Sequence, residues 1–191
     1  MTHKKKVLFL GYNKKQTNLI NFLRKKNINV VCIGQKKINI NTISKDDRLI
    51  VFGYRSIIDK KILKKLYFPP INLHLSYLPY NKGSHPNYWS FFERTPNGVT
   101  IHEVNKKLDS GKIIFQKKLK FKLTKKSTFY STYLILFKEI EKLFSKNYKI
   151  FLDNKYESKS QIGKGTFHLR GDLPKRFDWK QPILKYLDNL K

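Results

Sequence analysis

Four short apolar runs in the first 75 residues constrain the fold more than any other feature. KVLFLGY (6–12), NVVCIG (29–34), RLIVFG (48–53) and INLHL (71–75) are each of strand length and largely apolar. Such runs suit strands buried on both faces, as in a parallel sheet covered by helices. The intervening segments have helical spacing: Leu19, Ile20, Phe22 and Leu23 within residues 15–26, then Ile62, Leu63 and Leu66 within 59–67. Strands that alternate with helices imply a parallel, Rossmann-like core.

The pattern changes in the second half. PNYWSFFER (86–94) reads as a short helix, GVTIHEV (98–104) as a strand, and KIIFQKKLKFKL (112–123) as an extended edge ribbon. From about residue 127, Tyr130, Tyr133, Leu134, Phe137, Ile140 and Phe144 trace one face of a long helix. The expected fold class is α/β: a Rossmann-like, mostly parallel sheet flanked by helices. It forms one domain over residues 1–150, with a short irregular tail, 151–191, packed on it.

Composition narrows the class. Hydrophobic residues make up 40% of the 191, enough for a folded core rather than a disordered chain. The single cysteine, Cys32, excludes a disulfide framework and a thiol-based metal site, and suits a reducing compartment. The start, MTHKKKVLFLGY, has a basic stretch before an apolar run far too short for a signal peptide, and no stretch reaches membrane-spanning length. A cytoplasmic protein without membrane insertion is expected. The net charge of +28 favours loose association with any polyanion. The lysines are spread along the whole chain, and no zinc-finger spacing or ribonucleoprotein motif accompanies them, so binding to nucleic acid is expected to be nonspecific.

INLHLSYLPYNKG (71–83) is unusual for a buried strand. Side chains alternate along a strand, so Asn72 and His74 share one face while Leu73 and Leu75 take the other. Each polar group needs a partner once buried, and a polar pair at a strand end is where a parallel sheet places its ligands. The same pair could simply cap the following loop. LDSGKII (108–114) sets Asp109 two residues before Gly111, which alone reads as a turn aspartate. GYNKKQTN after the first strand has only Gly11, too few glycines for a phosphate-binding turn.

Taken together, Asn72, His74, Ser76, Leu78, Pro79 and Gly83, followed by Asp109 and Gly111, resemble the folate-dependent formyltransferase family, whose pattern is N-x-H-x-S-x-L-P-x-x-x-G and then D-x-G. FGYRSII (52–58), PYNKGSHPNYWS (79–90), TPNGVTIHEV (95–104) and GTFHLRGDLPK (165–175) resemble the sugar N-formyltransferases within it. The resemblance implies transfer of a formyl group from 10-formyltetrahydrofolate to the amine of a nucleotide-linked amino sugar, such as a dTDP-4-amino-4,6-dideoxy sugar for lipopolysaccharide O-antigen. It implies Asn72, His74 and Asp109 as catalytic residues, with Asn72 and His74 as donors to the developing oxyanion. It places the folate beside Tyr54, Arg55, Ile58, Val104 and Asn105, and the sugar nucleotide beside Lys82, Tyr88, Trp89 and His168. No metal is expected, and a homodimer is one expected assembly. Tyr88 and Trp89 also suit helix packing, and His102 reads as a satisfied strand histidine. The alternatives are an enzyme acting on methionyl-tRNA, which would need a second, RNA-binding domain, one acting on glycinamide ribonucleotide, and a basic nucleic-acid-binding module.

Overall fold

The computed structural model describes residues 6–190; the basic start at residues 1–5 lies outside them. Strands β1 (Val7–Gly11), β2 (Val30–Gly34), β3 (Arg48–Phe52) and β4 (Ile71–His74) pair in parallel. Two antiparallel strands, β6 (Asn97–Glu103) and β7 (Ile113–Leu119), extend the sheet, giving the order β2-β1-β3-β4-β6-β7. A two-residue strand, β5 (Lys82–Gly83), lies outside this sheet.

Alternation along the buried strands divides the core. Val7 and Phe9 of β1 pack with Leu19, Ile20 and Leu23 of α1 (Leu19–Lys25) and with Leu136, Ile140 and Phe144 of α4 (Phe129–Leu152). Leu8 and Leu10 face the other way, onto Ile43 and onto Ile62 of α2 (Lys60–Lys65). A third cluster joins α3 (Pro86–Phe92) to the start of α4 through Tyr88, Phe91 and Phe129.

Helix ends follow local chemistry. The first helix is shorter than its periodicity suggests because Asn13 folds residues 13–17 into a turn: its carbonyl accepts from Gln16 N and Thr17 N, and its side chain from Lys15 N. Thr128 starts α4 with a reciprocal cap: its Oγ1 accepts from Ser131 N, and Ser131 Oγ accepts from Thr128 N, both at 3.0 Å. The C-terminal segment is more ordered than the expected irregular tail. It contributes β8 (Phe167–His168), parallel to β5, and α5 (Ile183–Asp188), whose Ile183 is buried beside Phe129. No helix among the described residues is long and apolar enough to cross a membrane.

Candidate active site

Strand register assembles the polar cluster. Ile71 and Leu73 of β4 point into the core, which leaves Asn72 and His74 on the opposite face. Residues paired across antiparallel strands share a face, and β6 sets His102 opposite Asn72 and Thr100 opposite His74. Asp109 comes from the β6–β7 loop, where it adopts φ 48°. Gly111 makes that loop possible, because a β carbon there would lie 1.7 Å from Glu103 O.

Asp109 is the hub. One carboxylate oxygen accepts from Asn72 Nδ2 at 2.9 Å and lies 3.4 Å from His102 Nε2; the other accepts from Gly83 N at 2.8 Å and lies 3.7 Å from His74 Nδ1. Burial alone would raise its pKa, but His74, His102 and the Gly83 N–H together hold the carboxyl well below the usual carboxylate range. His74 is buried, which pushes its pKa down against the opposing pull of Asp109.

Hydrogen-bond polarity then fixes the proton positions. A carbonyl only accepts, so His74 donates from Nε2 to Asn81 O at 3.0 Å, and His102 donates from Nδ1 to Glu103 O at 2.7 Å. Neutral His74 therefore presents a lone pair at Nδ1. The Asn72 amide nitrogen donates to Asp109 at 2.9 Å and lies 3.1 Å from His102 Nε2, so it is turned toward the cluster. Asn72 is expected to donate to the oxyanion; in the resting structure its Nδ2 faces Asp109 and His102, and its Oδ1, an acceptor, has no partner in the cluster.

The cluster opens onto a cavity of about 670 Å³. Part of its wall comes from the turn after β3 and the loop after β6, which include Tyr54, Arg55, Ile58, Val104 and Asn105. The rest comes from the starts of α3 and α4 and from the C-terminal segment, with His85, Tyr130, Tyr133, Arg170 and Trp179.

The formyl transferase family matches residues 35–133, about half of the chain, and these include the whole Asn72–Asp109 cluster. The chain belongs to the formyl transferase family. The solved structure of the formyltransferase PseJ from Anoxybacillus kamchatkensis, in complex with UDP-4,6-dideoxy-4-formamido-L-AltNAc and tetrahydrofolate, superposes with a TM-score of 0.84 at 34% identity, covering 97% of this chain and 100% of that one. The bifunctional polymyxin resistance protein ArnA of Wigglesworthia glossinidia brevipalpis is 32% identical over 92% of this chain, which spans 27% of that relative. The dTDP-4-amino-4,6-dideoxyglucose formyltransferase of Mycobacterium bovis is 31% identical over 54% of this chain and 43% of its own length. The chain thus spans less than half the length of these two curated relatives.

Against this family frame, the other expected site residues divide. The five residues expected beside the folate all line the cavity; the four expected beside the sugar nucleotide do not. Tyr88 is 1% exposed and bonds Tyr186 Oη at 2.9 Å, and Trp89 is 8% exposed. His168 stacks on Trp89 with ring centroids 3.8 Å apart and lies 2.9 Å from Glu93. Lys82 pairs with Phe167 through the backbone. Tyr88 and Trp89 lie on the face of α3 that packs against the C-terminal segment, and that face cannot also face the cavity. His102 is a strand histidine with both ring nitrogens partnered, and it also lines the cavity beside Asp109. Its polar alternation with Thr100 in TIH repeats the N-x-H signal of β4, and that signal could have found it. His85, Arg170 and Trp179 carried no comparable pattern. Among the described residues, no group of three or more His, Cys, Asp or Glu could hold a metal ion.

Proposed function

We propose that this chain transfers the formyl group of 10-formyltetrahydrofolate to the amine of a nucleotide-linked 4-amino-4,6-dideoxy sugar destined for a surface polysaccharide. The single observation that carries the reading is the Asn72–His74–Asp109 cluster facing a cavity with two chemically different walls. The wall of residues 51–58 and 104–108 suits the pterin, which backbone groups and Ile58 can hold. On the other wall, His85 and Trp179 have ring centroids 5.4 Å apart, an aromatic pair suited to a nucleobase or sugar face. Arg170, exposed beside them, supplies a cation for a diphosphate. The full-length likeness to PseJ supports a UDP-linked sugar, and the mycobacterial relative a dTDP-linked one.

The chemistry follows from the resting hydrogen bonds. Asn72 Oδ1 accepts from the incoming amine and orients its lone pair toward the formyl carbon. As the new C–N bond forms, the amine proton passes to His74 Nδ1, and the imidazolium is stabilised by Asp109 at 3.7 Å. That transfer turns Nδ1 into a donor, which stabilises the tetrahedral oxyanion and then returns the proton to the departing folate nitrogen. Burial keeps His74 neutral at the outset, as a base must be.

The test is to incubate the protein with 10-formyltetrahydrofolate and, separately, UDP- and dTDP-linked 4-amino-4,6-dideoxy sugars, methionyl-tRNA and glycinamide ribonucleotide. Mass spectrometry is expected to find one added formyl group on a sugar nitrogen. Formylation of glycinamide ribonucleotide or methionyl-tRNA, with none of any sugar, would overturn the sugar reading.

A further inference from the structure

The C-terminal segment is built into the back of the site. Strands β5 and β8 pair Lys82 with Phe167 and Gly83 with His168. A β carbon on Gly83 would lie 2.2 Å from His168 O, and one on Gly165 would lie 2.0 Å from Pro79 O. Only glycine permits backbones to approach so closely. The same segment holds the Asp109 loop, where Gln161 Nε2 donates to Asp109 O and Gly111 O, each at 2.8 Å.

Asn81 links this clamp to the histidine. It is fully buried, with a left-handed φ of 55°, a conformation asparagine tolerates better than most residues. Thr166 holds it there: its Oγ1 accepts from Asn81 N at 2.8 Å and donates to Asn81 Oδ1 at 3.1 Å. Asn81 Nδ2 donates to Thr95 Oγ1 at 2.8 Å. With those groups engaged, the Asn81 carbonyl is aimed at His74 Nε2.

We propose that Thr166 is a positioning residue that fixes the tautomer and orientation of His74 through the buried backbone of Asn81. The inference rests on His74 being the proton-transfer group of the proposed reaction. Three groups act on its ring: the Asp109 carboxylate from the β6–β7 loop, His102 from β6, and the Asn81 carbonyl. The carbonyl and the carboxylate compete for the ring hydrogen from opposite sides, and the carbonyl at 3.0 Å from Nε2 outweighs the carboxylate at 3.7 Å from Nδ1. Loss of the Thr166 hydroxyl leaves the buried Asn81 N–H and Oδ1 without that partner, so the Asn81 carbonyl is held from this side only through Lys82 N donating to Thr166 O at 3.0 Å; its aim at Nε2 loosens, and with it the preference for a lone pair at Nδ1.

Thr166→Val, nearly isosteric, removes both hydroxyl bonds; Thr166→Ser keeps them. In Thr166→Val, kcat is expected to fall about a hundredfold, the size associated with a displacement near 1 Å, with both KM values little changed. The acidic limb of the rate profile should move lower, because the carbonyl bond favours the protonated ring. ¹⁵N NMR of the imidazoles should show His74 leaving the pure Nε2–H form, and Thr166→Ser should restore all three readouts. Wild-type kcat and an unchanged ¹⁵N pattern in Thr166→Val would overturn the inference. So would a lowered Tm with the pH limb in place, which marks a purely structural role. His74→Ala separates the two layers. If it is inactive while Thr166→Val is normal, only Thr166 is misassigned; if it turns over normally, the reading of His74 itself fails.

Discussion

Replacing Asp109 with asparagine removes one charge and one acceptor from the centre of the cluster at nearly constant volume. Both carboxylate oxygens accept from N–H groups, one from Asn72 Nδ2 and the other from Gly83 N. An asparagine side chain can satisfy only one of them, and its amide nitrogen must face the other donor. The larger loss is electrostatic. At the 3.7 Å separation of Asp109 Oδ2 and His74 Nδ1, a pair of unit charges at an effective dielectric near 20 attracts by about 4 kcal/mol. That attraction exists only once His74 has taken the amine proton, so it stabilises the transition state and not the bound substrates. At about 1.4 kcal/mol per power of ten, Asp109→Asn should lower kcat about a thousandfold with little change in either KM. The assay is initial-rate formylation of the nucleotide-linked amino sugar over a matrix of both substrates, with circular dichroism confirming the fold. A variant within tenfold of wild-type kcat would refute the argument that His74 becomes cationic beside this carboxylate.

Two further predictions rest on the same geometry. His74 has its pKa lowered by burial, and it must be neutral to act, so kcat/KM should fall as pH drops through a value below the ordinary imidazole range of about 6.5; initial rates from pH 4.5 to 8 check this, and a limb above that range would contradict it. Arg170→Ala should raise KM for the sugar nucleotide about tenfold while leaving KM for the folate unchanged, in keeping with the loss of one charge-assisted hydrogen bond; isothermal titration with the nucleoside diphosphate alone gives an independent measure.

The elements that position the site were legible for a physical reason: both faces of the sheet are buried, so β1, β3 and β4 had to be apolar on alternate faces and any polar residue stood out. Asn72 and His74 broke that rule together. His102 broke it in the same way beside Thr100, but a single histidine on a seven-residue strand gains meaning only when register sets it opposite Asn72. The alternation fixes which face His102 takes, but which residue of β4 it meets depends on how two strands about twenty residues apart pair. The C-terminal segment was illegible for a different reason. Its contacts with residues 79–85 are mostly backbone bonds and close glycine approaches, and these depend on where two distant stretches meet, not on side-chain pattern. The same fact explains why Tyr88 and Trp89 read as substrate contacts. Aromatic residues beside an active-site motif suit either a ligand or a packed wall, and the wall they pack against, from Phe167 to Ile183, lies some eighty residues further along the chain. That wall holds Asn81, and Asn81 holds His74. Chemistry concentrated in a four-residue strand thus depends on a segment whose resemblance to the family marks its presence but not the bonds by which it holds Asn81.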